Sequence, residues 1–114
     1  MSIDLHRLGQ LRSIALHREV LSALESDASV LERARRKLAQ WEHEEKIHPV
    51  WAARWHELLD GPPAALAERL VADDDEAATL RSCTPFTGVV GPRERWAIWA
   101  RVRAEVEAQE ADSH

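Results

Sequence analysis

The chain has a single cysteine, Cys83, so no disulfide can close within it. A lone thiol in a small domain without staples fits a reducing compartment, and we expect a cytoplasmic protein. Tyrosine is absent, and phenylalanine and methionine occur once each. No apolar run approaches the roughly 18 residues that a membrane span requires. The first residues, Met1-Ser2-Ile3-Asp4-Leu5-His6-Arg7, are polar at every second or third position, so no signal-peptide core is expected there. Positive charge is also short: 15 basic against 20 acidic residues leave a net charge of -5. A protein that tracks phosphates carries the opposite excess, which sets nucleic-acid binding at a disadvantage. Glycine and proline are sparse and sit together at two joints. One is Gly61-Pro62-Pro63; the other is residues 84–92, with Pro85, Gly88, Gly91 and Pro92.

What is present is helical. The 114 residues, 45% of them hydrophobic, are one domain's worth of chain. No alternation of strand type lasts more than a few residues, and the best case is Val89-Val90 between two glycines. Apolar residues at steps of three and four predict a helix over 4–24, on Leu5, Leu8, Leu11, Ile14 or Ala15, Val20, Leu21 and Leu24. Gly9 weakens its first turns. A second helix starts at Asp27 or Ser29. Ser29 with Glu32 fits a capping box there, and Leu31, Ala34, Leu38 and Trp41 form the stripe. A third starts at Pro49, carries Trp51, Trp55, Leu58 and Leu59, and stops at Gly61 in a left-handed cap. Shorter helices start at Pro62 or Pro63 and at Asp73. The last runs from Pro92 to about Gln109 on Trp96, Trp99, Val102 and Val106. The expectation is an all-α bundle of five or six helices with short loops, spanning 1–114. Residues 1–11 are a candidate flexible or partner-binding arm, and 111–114 a loose tail. The five tryptophans read chiefly as core, with one or two available as binding anchors.

No set of side chains at catalytic spacing emerges. His43, His48 and His56 lie close to Glu42, Glu44 and Glu45, but a helical zinc pair wants two His at i,i+4 on one face. Here the first step is i,i+5 and crosses a helix boundary. They read as surface or capping residues, and no metal or cofactor is expected. Cys83 lacks a nearby base in sequence and reads as structural. Gly88-Val89-Val90-Gly91 lacks the Lys-Ser/Thr of a nucleotide-binding loop and reads as a turn. Two charge clusters remain. Arg33, Arg35, Arg36 and Lys37 share one helix and are the nucleic-acid candidates, diluted by the acids that follow. Residues 60–76 hold six acids (Asp60, Glu68, Asp73, Asp74, Asp75, Glu76) against Arg69 alone, which marks a localised acidic surface suited to a basic partner.

Two segments carry a family resemblance: Arg12-Ser13-Ile14-Ala15-Leu16-His17-Arg18, and Leu80-Arg81-Ser82-Cys83-Thr84-Pro85-Phe86-Thr87-Gly88-Val89-Val90 followed by Pro92-Arg93-Glu94-Arg95-Trp96. With the tryptophan-bearing middle helices, this resembles small all-helical bacterial antitoxin-like proteins from toxin–antitoxin-type gene pairs. The chain departs from that pattern at Cys83-Thr84 before Pro85 and at Gly91. The resemblance implies a protein that binds and silences a cognate toxin, with nucleotidyltransferase-type toxins among the candidates. On the residues alone, Leu5, Leu8, Leu11, Asp73, Asp74 and Asp75 are the expected partner-binding set. A DNA-binding regulator using Arg33–Lys37, and a metal or enzyme domain using the histidines, are the alternatives. Self-association stays open.

Overall fold

A computed structural model describes residues 4–112, and all of its regular structure is helical. The helices are α1 (Leu5–Ser26), α2 (Ser29–His43), α3 (Pro49–Asp60), α4 (Pro63–Val71), α5 (Asp75–Ser82) and α6 (Pro92–Asp112). Among the described residues no helix is long and apolar enough to cross a membrane. Most of the expected arm is therefore regular helix: Asp4 caps α1 by accepting from the N–H groups of His6 and Arg7, and helix continues unbroken through Gly9. Residues 1–3 of that arm, and 113–114 of the expected tail, lie outside the described residues. α6 continues through Asp112, beyond the expected end near Gln109.

α1 lies between two apolar clusters. Its C-terminal half supplies Val20 to the larger one, which Val30, Leu38, Trp55, Leu58, Leu70 and Leu80 complete from α2 to α5. Its N-terminal half supplies Leu8 and Ala15 to a smaller one with Val90, Ile98 and Val102. α6 packs chiefly against α1 and stands apart from the other helices. Trp55 fills the large core at 1% exposure and meets Phe86 edge to face, with ring centroids 6.1 Å apart. The expected α6 stripe is corrected here. Ile98 and Val102 are the buried pair, Trp99 and Val106 flank them, and Trp96 is 74% exposed.

Several helix ends differ from the sequence expectation for local reasons. The Ser29–Glu32 capping box is not formed: Ala28 occupies the N-cap, and the Asp27 carboxylate accepts from the Ser29 N–H at 2.9 Å. α5 begins two residues later than expected, because Asp74 takes the cap and accepts from the Ala77 N–H at 2.8 Å. Gly61 is not a left-handed cap; its φ is -89°. Glycine is required there because a Cβ would stand 2.7 Å from the carbonyl oxygen of Glu57. The left-handed cap belongs to α2. Glu45 sits at φ 56°, the Lys46 N–H reaches the Trp41 carbonyl at 2.8 Å, and the Glu45 N–H reaches that of Glu42 at 3.2 Å. That is a Schellman closure with glutamate where glycine is favoured.

A left-handed conformation costs a residue with a Cβ about 1–2 kcal/mol, and glycine gives back part of that through chain entropy. Glu45→Gly should therefore raise stability by about 1 kcal/mol. A higher urea midpoint at unchanged slope is the expected reading; an unchanged or lower midpoint would contradict the strain at this cap.

Candidate functional site

The expected partner-binding residues come from segments more than 60 positions apart in the chain, and the fold brings them to one end of the molecule. The join is Arg7 with Asp73. The guanidinium donates through Nη1 and Nη2 to the two carboxylate oxygens at 2.7 and 2.6 Å. This bidentate pair ties the start of α1 to the α4–α5 connection, and the bond from Arg7 holds the Asp73 carboxyl below its usual range. Beside it, α1 and α5 line an open groove of about 610 Å³. Leu5, Gly9 and Ser13 line it from α1 at steps of four. Asp75, Thr79 and Ser82 line it from α5 at steps of four and three. Leu5 stands 73% exposed at its mouth, and Asp75 makes no ion pair among the described residues.

The six expected residues thus separate. Leu5 and Asp75 line the groove. Leu8 is 2% exposed and belongs to the core with α6, so its inclusion in a binding surface is corrected; Leu11 is half-buried against the same core. Asp73 is held by Arg7, and Asp74 caps α5 while accepting from Arg69 at 2.7 Å. The wider acidic surface expected from residues 60–76 is also corrected. Asp60 pairs with Arg35; Glu68, Asp74 and Glu76 pair with Arg69; Glu76 also pairs with Arg54. Neutralising arginines arrive from α1, α2 and α3, which composition within the segment cannot reveal.

The groove wall is secured by two buried polar residues absent from the expected set. His17, 1% exposed, joins α1 to the loop after α5. Its Nδ1 lies 2.7 Å from the Ser13 carbonyl, a pure acceptor, so Nδ1 carries the proton. Its Nε2 then accepts from the Thr84 hydroxyl at 3.0 Å, and Thr84 Oγ1 accepts from the Phe86 N–H at 3.2 Å. The chain of donors is satisfied with the imidazole neutral. Burial pushes the His17 pKa down to about 4; the Ser13 bond works against that shift, and the charge of Arg81 adds to it. Arg81, 4% exposed, donates through Nη1 to the carbonyls of Leu70 and Ala72, at the C-terminal end of α4, where a cation suits the helix dipole. Burial lowers its pKa, and Asp73 and Asp74 oppose that. The sequence signal was a His and an Arg inside apolar stripes, a pattern that does not by itself indicate burial.

The remaining candidates are dispersed. Arg35 of the basic cluster donates to the Leu59 carbonyl and pairs with Asp60, so it fastens α2 to α3; Arg33 and Arg36 are exposed, and Lys37 is half-buried. His48 caps α3 by accepting from the Val50 N–H at 3.2 Å, and His56 meets Glu42. Both line a cleft at the α2–α3 turn, away from the groove, with His43 exposed at the end of α2. Among the described residues no three of these groups are placed to hold a metal ion. Cys83 is half-buried, with Sγ 3.6 Å from the Thr79 carbonyl.

The His17 arrangement fixes a pH dependence. An unfolded chain binds the proton near pH 6.5, and the folded one resists it until about 4, so this contribution is complete above 6.5 and is lost as pH falls towards 4. The loss amounts to about 3 kcal/mol across that window. Urea unfolding of the wild type and of His17→Gln should show it as the difference between their pH slopes. Parallel slopes between pH 6.5 and 4 would refute a neutral buried His17.

No family model matches the chain, and no curated protein or solved structure matches it.

Proposed function

We propose that the protein is a non-catalytic binding module, an antitoxin-like inhibitor that receives a helix of its partner in the groove between α1 and α5. The observation that carries this reading is the groove itself. Both walls are helical faces with residues repeating at three and four, the spacing that accepts a third helix. Gly9 keeps the α1 wall low, for there is open space where its Cβ would stand. Leu5 offers exposed apolar surface at the mouth, and Asp75 offers an unpaired carboxylate. A partner helix with an apolar stripe and a flanking Lys or Arg complements both. The resemblance to antitoxin-like proteins points the same way, and its two segments meet at the His17–Thr84 bond behind the α1 wall. In this reading the partner is a cytoplasmic bacterial toxin whose activity is blocked by occupancy.

Co-expression with the product of the adjacent reading frame, followed by size exclusion and a growth assay, tests it. A stable complex and relief of growth arrest are expected. Leu5→Glu and Asp75→Arg should each weaken the complex about tenfold or more, because central interface residues dominate affinity. Val50→Glu, on an exposed part of α3, should leave it intact. No complex, or a complex indifferent to both groove variants, would refute the reading.

A further inference from the structure

Among the described residues the outward face of α6 has no neighbour. Ile98 and Val102 turn inward onto α1, and the opposite side presents Ala97, Ala100, Ala104, Ala108 and Ala111, all exposed. Trp96 stands beside this face at 74% exposure, the most exposed large apolar side chain described. Charge along the helix is divided. Arg93, Arg95, Arg101 and Arg103 occupy the first half with Glu94 alone against them; Glu105, Glu107, Glu110 and Asp112 occupy the second half with no base. This opposes the helix dipole, which favours acids at the N-terminus and bases at the C-terminus. An isolated helix gains from that order only at its middle, where Arg101 and Arg103 reach Glu105 and Glu107 one turn on. A second copy laid antiparallel gains from both ends at once, because each basic half then faces an acidic half.

We propose that two copies of the chain pair antiparallel through the outer faces of α6, about a two-fold axis at Ala104. That register sets Ala97 opposite Ala111 and Ala100 opposite Ala108. It sets Arg101 on the same flank as Glu105 of the other copy, and Arg103 on the same flank as Glu107 of the other copy. Within one copy, Arg103 already reaches Glu107 at 3.1 Å and Arg101 reaches Glu105 at 3.8 Å, so the same side chains can bridge across the axis with little reorientation. The alanines permit close backbone approach, and Trp96 lies level with Asp112 of the other copy. The interface is isologous, so it closes at two copies. It lies on α6 and leaves the α1–α5 groove untouched.

Sedimentation equilibrium of the full chain over a concentration series should give a dimer at low ionic strength that shifts towards monomer at high ionic strength. Ala104→Glu places two carboxylates on the axis and should weaken the dimer about tenfold or more. The side chain is solvent-exposed, so an unchanged circular-dichroism spectrum and thermal midpoint are expected alongside. Arg103→Glu and Glu107→Arg should each weaken it, and the two combined should restore it. In a Cys83→Ser background, Ala97→Cys should cross-link to Ala111→Cys in a mixture and not to itself. A monomer at every concentration in low salt, a dimer indifferent to Ala104→Glu, or self-linking of Ala97→Cys would overturn the proposal.

Discussion

α1 has to bury two faces at once, and the rest of the molecule follows from that demand. A surface helix satisfies one apolar stripe and leaves its other side to water. α1 instead gives Val20 to the core built by α2 to α5, and Leu8 and Ala15 to the core it shares with α6. Along 22 residues its apolar set therefore divides between two directions and two ends. His17 sits inside this arrangement and acts as a polar tie rather than a hydrophobic filler. Its two ring nitrogens find partners in the preceding turn and in Thr84, so α1 fixes where α5 ends and where the loop towards α6 begins. A buried imidazole left unpaired at either nitrogen would cost far more than the bonds contribute. The groove lies between α5 and the same helix, which is secured at His17 and again at Arg7.

The acidic residues show how a linear count misleads about a surface. Residues 60–76 carry the whole net charge of the chain, six acids less one base, and look like a beacon for a basic partner. Folding brings Arg7, Arg35 and Arg54 to them from three other helices, and Arg69 alone contacts three of the acids. These pairs are mostly solvent-exposed, so each contributes little to stability. Their main consequence is local neutralisation. What survives as an unpaired carboxylate is Asp75, and it faces the groove. The acidic segment therefore speaks for one oriented charge and not for a broad field.

The helices were legible from periodicity and punctuation: the prolines at 49 and 92 open their helices, and Trp55, Leu58, Leu66, Leu70, Ala77 and Leu80 are buried as their spacing implies. Legibility ended where partners come from afar. Leu5 and Leu8 belong to one stripe and look equivalent in sequence, yet only Leu8 reaches α6. Trp96 and Trp99 are three residues apart and share a stripe on paper. The inward direction of α6 runs through Ile98 and Val102, so one tryptophan is placed at the edge of the core and the other beyond it. α5 was expected from Asp73, and its start is set instead by the Asp74 carboxylate, which meets the Ala77 N–H. Each failure is a one-residue rotation or shift that tertiary packing decides.

Three positions contradict local preference, and their distribution is informative. Glu45 holds a left-handed backbone, α6 carries its charges against its dipole, and Trp96 stands in water. The first is confined to a single helix end and is explained by the chain reversal it completes. The other two coincide on one helix. A sequence whose levels otherwise agree tends to break local rules where something outside the chain supplies the compensation. For α6 that compensation must present acid to the first half, base to the second, and an apolar surface beside Trp96. The chain's own α6, reversed, meets the first two of these requirements. In the proposed reading the groove between α1 and α5 receives a helix with an apolar stripe and a basic flank. The two proposed surfaces lie apart, so a dimer held through α6 would present two such grooves.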